Sequence, residues 1–61
     1  AKLQAAIATL PDVQRLVFNM RYYDNIKYSE MSKMLATTEG ALKASYHIEV
    51  KKISEYLEQN N

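Results

Sequence analysis

The chain has 61 residues, with eight Lys and Arg against seven Asp and Glu for a formal charge of +1, and it has no Cys. A chain this short forms one domain and buries only about 60% of the surface its unfolded form exposes, so its stability is modest. The near-balanced charge excludes a polyanion binder working through net charge alone, and the missing Cys excludes a disulfide framework or a thiolate zinc site. No apolar run approaches the roughly 20 residues that span a bilayer, and the Ala-rich start lacks the basic flank and apolar run of a signal peptide. A soluble, cytoplasmic protein is expected. Because the chain opens at Ala1 rather than Met and ends in the polar Glu58-Gln59-Asn60-Asn61, residues 1–61 are expected to be a C-terminal domain cut from a longer protein.

One Gly and one Pro punctuate the sequence, and every stretch between such marks has helical periodicity, with no alternating segment for a strand or a wing. The expected fold is all-α: a small four-helix bundle containing a helix-turn-helix. Leu3, Ile7 and Leu10 define a short first helix. Pro11 ends it, and Pro11-Asp12 suit the first turn of the second. There Val13, Leu16, Val17 and Met20 follow the i, i+3, i+4, i+7 rule for a buried face, leaving Gln14, Arg15, Asn19 and Arg21 outside, and the helix runs to about Tyr23. Asp24-Asn25 break the pattern, Asn tolerating the left-handed backbone that bulkier residues avoid.

A third helix is expected from about Tyr28 to Leu35, with Met31, Met34 and Leu35 inward and Ile26 packing back from before its start. Lys27 sits at its N-cap, where Ser or Thr would be worth about 1 kcal/mol more. Ala36 follows its end, where a left-handed residue would be strained. Thr38 is the expected N-cap of the fourth helix, with Glu39 favourable at the positive dipole end. That helix runs to roughly Leu57, with Leu42, Tyr46, Val50, Ile53 and Leu57 as its apolar stripe. Lys43, His47 and Lys51 recur at steps of four on another side. Two helices joined by the short Ala36-Thr37-Thr38 turn, the second bearing a basic stripe, form the layout of a DNA-reading helix-turn-helix.

In such a unit the N-terminal part of the second helix enters the major groove while the preceding helix crosses the backbone. Glu39, Gly40, Lys43, Ala44 and His47 share the face away from the apolar stripe. Lys43 can donate to a guanine edge or a phosphate and His47 to either, while Gly40 and Ala44 permit close approach. Lys51-Lys52 are explained by the negative end of the helix dipole, and Met20, Met31 and Met34 read as core filling. His47, the sole His, has no partners for a metal site, and no nucleophile with its base or Gly-rich phosphate loop is present. No catalysis, metal or cofactor is expected. The competing reading is a protein-interaction module that offers its first two helices to another chain.

From Leu10 to Leu57 the chain resembles region 4 of bacterial sigma factors of the extracytoplasmic-function type. The matching marks are Leu10-Pro11, Arg15-Leu16-Val17-Phe18, Arg21-Tyr22-Tyr23-Asp24, Tyr28 with Glu30-Met31, Met34-Leu35 and Gly40-Ala41-Leu42-Lys43. The resemblance implies double-stranded promoter DNA as a partner, read at the minus-35 element. It also implies binding to the beta flap of the RNA polymerase core, and masking by an anti-sigma factor. It further implies that Arg21, Tyr28 and Ser29 touch the phosphate backbone. Ser45, Ile48 and Val50 stand where many relatives have Arg, so fewer phosphate contacts and weak binding by the isolated domain are expected. A response-regulator helix-turn-helix is a further alternative; the long fourth helix favours the sigma reading.

Overall fold

A computed structural model describes residues 2–59, which form α1 (Lys2–Ala8), α2 (Asp12–Tyr22), α3 (Tyr28–Leu35) and α4 (Glu39–Gln59). The 21-residue α4 is the spine: at about 1.5 Å per residue it accounts for most of the 36 Å long axis, and the other three helices pack on it.

Each break has a local cause. Thr9 caps the end of α1 by donating its hydroxyl to the Ala6 carbonyl at 2.6 Å. Pro11 lies at the N-cap of α2 rather than in its first turn, extended at φ −56° and ψ 156°, and its carbonyl accepts from Arg15 N–H at 2.8 Å. After α2, Asn25 takes the left-handed conformation at φ 54°, which lets Ile26 N–H return to the Met20 carbonyl. The Arg21 guanidinium then donates to the Ile26 carbonyl at 3.1 Å, clamping the loop. Thr38 is the N-cap of α4: its hydroxyl accepts from Ala41 N–H at 3.1 Å, and its carbonyl from Leu42 N–H.

The turn between α3 and α4 does not adjust to its Ala. Ala36 is left-handed at φ 51° and ψ 46°, and both its N–H and that of Thr37 donate to the Ser32 carbonyl. Lys27 is extended at the N-cap of α3 and makes no side-chain capping bond. Ala36→Gly and Lys27→Ser are each expected to stabilise the domain by about 1 kcal/mol, additively since the sites lie at opposite ends of α3. Urea unfolding followed by circular dichroism checks this; a destabilised Ala36→Gly would contradict the left-handed turn.

The core has two parts. Ala6, Ile7, Leu10, Phe18 and Ile53 bring α1, α2 and the far half of α4 together, while Val17, Met20, Met31 and Leu42 join α2, α3 and the start of α4. Four residues expected inside are outside: Val13 is 73% exposed, Leu16 48%, Met34 64% and Val50 40%. The cause is rotation of each helix about its axis. In α2 the buried set is Val17, Phe18 and Met20, which brings Phe18 in and turns Val13 out. In the short α3, Met31 is buried and Leu35, four residues on, packs beside it; Met34, about 100° round from Leu35, faces away. In α4 the inward line is Leu42, Tyr46, Glu49, Ile53 and Tyr56, so Glu49 takes the place expected for Val50.

Candidate nucleic-acid interface

α3, the Ala36–Thr38 turn and α4 form the helix-turn-helix, with α4 as its second helix. Thr38 fixes where α4 starts, so its first three turns present Glu39, Gly40, Lys43, Ala44 and His47, all exposed, on the side away from the core. A Cβ built on Gly40 meets nothing within 4 Å, so the glycine is not needed for packing within the domain. Lys51 continues the exposed face one turn further.

Three of the expected site residues are brought together. The Arg21 guanidinium carbon lies 4.8 Å from the centroid of the Tyr28 ring, and the Lys43 ammonium lies 5.7 Å from the same centroid. One residue from the end of α2, the first of α3 and one from the second turn of α4 thus meet at a single ring. Tyr28 is half-buried and packs against the core, which fixes the ring. Ser29 is exposed in the first turn of α3. Gly40, Ala44 and His47 form their own strip on α4 beside this cluster.

Of the three uncharged positions on α4, Ile48 is 51% exposed, Val50 also faces out, and Ser45 is half-buried. Among the described residues no group of three or more His, Asp or Glu could hold a metal ion, and no helix is long and apolar enough to cross a membrane.

Two features escaped the sequence. The first is Glu49, 1% exposed, with neither carboxylate oxygen hydrogen-bonded. Burial pushes its carboxyl up from the ordinary 4.5 to about 7, with Lys52 pulling the other way. A Glu three residues from Tyr46 and four from Ile53 was its only signal. The second is a mainly apolar groove of about 310 Å³, lined by Val13, Leu16, Val17, Leu35, Ala41 and Leu42, with Thr37 and Ser45 as its polar members. Val13 and Leu16, expected to be core, are its walls.

A helix-turn-helix with an exposed second helix is the layout of a DNA-binding regulatory domain. The model of the family "Sigma-70, region 4" matches residues 1–53, and the chain belongs to that family. Comparison with curated proteins and with solved structures returned no match. Region 4 serves sigma factors in transcription initiation, where it binds promoter DNA at the minus-35 element and contacts the RNA polymerase core.

Proposed function

We propose that this domain is region 4 of a cytoplasmic sigma factor of the extracytoplasmic-function type, and that α4 reads the minus-35 element in the major groove. The observation that carries the reading is the exposed strip of Gly40, Ala44 and His47 with Lys43 at its edge, set at the start of the second helix of a helix-turn-helix. His47 supplies a donor to base edges and Lys43 one to a phosphate or a guanine edge, while Gly40 and Ala44 let the helix backbone approach. Arg21 and Ser29 border the strip and hold the phosphate backbone, setting register without specifying sequence, with the Tyr28 ring between Arg21 and Lys43.

The Val13–Leu42 groove supports a second contact. Its apolar lining suits an apolar helix from a protein partner, which we assign to the polymerase beta flap, with an anti-sigma factor as a competing occupant. A sparse reader gains site occupancy when polymerase tethers it, because the second contact becomes intramolecular.

Enrichment of a randomised pool of duplexes on the immobilised chain tests the reading. A recurrent short motif is expected. Gly40→Ala is expected to leave the fold intact, since its methyl meets open space, yet to weaken selection of that motif by crowding the groove. Recovery of no motif would count against α4 as a reader.

A further inference from the structure

We propose that Tyr28 is a positioning residue: its ring holds Arg21 and Lys43 in the places from which they meet the DNA backbone. This inference rests on the DNA-binding reading. It assigns Tyr28 an action through two cations instead of a contact of its own.

The convergence is unusual on electrostatic grounds. Two like charges from different helices approach one ring at 4.8 and 5.7 Å. Their mutual repulsion would drive two flexible side chains apart, and the negative face of the aromatic ring opposes this. Among the described residues neither cation has a carboxylate partner; the ion pair present is Arg15–Asp12 on the outer side of α2. That distinction matters for binding a phosphate. A carboxylate would cancel the charge and compete with the phosphate, whereas a neutral ring orients the cation and leaves its charge unspent.

The platform is itself anchored. Tyr28 packs against the cluster of Val17, Met20, Met31 and Leu42, and Arg21 is further tied by its 3.1 Å bond to the Ile26 carbonyl. Arg and Lys lose much rotamer freedom when a contact immobilises them, so holding both beforehand lowers the entropic cost of binding. The device joins α2, α3 and α4 and thereby sets the spacing between the cation on α2 and the one on the reading helix.

The test is a double-mutant cycle on the affinity of the 61-residue chain for a labelled random-sequence duplex of about 20 base pairs, two helical turns, at low salt. Tyr28→Phe, which keeps the ring, is expected to bind within about twofold of wild type. Tyr28→Leu is expected to lose about fivefold, and to lose little more once Arg21→Ala and Lys43→Ala are already present. If Tyr28→Leu fails to fold, trifluorophenylalanine at position 28 keeps the shape, removes the negative face and should show the same loss. A loss in Tyr28→Phe equal to that in Tyr28→Leu, or an undiminished loss in the double-alanine background, would overturn the proposal by showing that Tyr28 itself touches DNA. A wild-type chain that binds no duplex overturns the DNA reading and the proposal with it, an outcome distinct from binding with an additive cycle.

Discussion

Glu49→Leu is expected to raise the melting temperature by about 10 °C at pH 8, and by clearly less at pH 5. Glu49 is 1% exposed, both oxygens lack partners, and its carboxyl titrates at about 7 in the folded chain against an ordinary 4.5. The folded state therefore binds the proton more tightly than the unfolded state. Stability from this group is fully present below about pH 4.5, declines as pH rises, and is lost above about 7. The difference corresponds to roughly 3 kcal/mol, and relaxation of the helix and water penetration reduce what is measured. One kcal/mol moves the melting temperature of a domain this size by roughly 4–8 °C. Glu49→Gln isolates the charge: it should gain at pH 8, gain roughly a quarter as much at pH 5, and flatten the profile between. Thermal melts at the two pH values, followed by circular dichroism, provide the check. A wild-type profile that is flat from pH 5 to 8 and parallel to that of Glu49→Gln would contradict the buried carboxyl.

The second large effect is in salt. With Ser45, Ile48 and Val50 carrying no charge, we expect about four phosphates to be neutralised, which gives a slope of about −3.6 for log K against log salt. Affinity for duplex DNA should then fall by roughly 150-fold between 50 and 200 mM salt. Lys43→Ala should weaken binding and flatten the slope by about 0.9, the share of one phosphate. Fluorescence anisotropy over that range measures both. An unchanged slope in Lys43→Ala would remove Lys43 from the phosphate contacts and leave it a base-edge or solvated role. Binding through so few phosphates is a weak hold under cellular conditions, consistent with polymerase keeping the domain at the promoter while α4 chooses the site.

Helix boundaries are legible in the sequence because single residues set them. Pro11, Asn25 and Thr38 each act through one backbone property: a locked φ, a tolerated left-handed turn and a capping hydroxyl. All three stand at the breaks they mark, Pro11 one position before the first turn expected of it. Helix rotation is less legible. In a helix of eight or eleven residues a shift of one position turns the apolar face by about 100°, and two neighbouring residues can both be apolar. The ambiguity arises in α2 between Leu16 and Val17 and between Val17 and Phe18, and in α3 between Met34 and Leu35; packing against α4 decides each. Only the spacing of Glu49 from Tyr46 and Ile53 hints at its burial, and residue type points the other way because an ionised carboxylate is costly to bury; burial here goes with a carboxyl that is neutral over a wider range of pH. The meeting of Arg21, Lys43 and Tyr28 joins residues 7 and 15 positions apart on three helices, which no local pattern encodes.

Everything proposed for function depends on the start of α4 being the surface that meets DNA. A titration of the isotope-labelled chain with promoter duplex at low salt, following the backbone amides, reads this out residue by residue. Shift changes should cluster from Gly40 to His47, with lesser changes at Arg21, Tyr28 and Ser29. Changes confined to α1 and α2, or no change at all, would contradict DNA reading by α4.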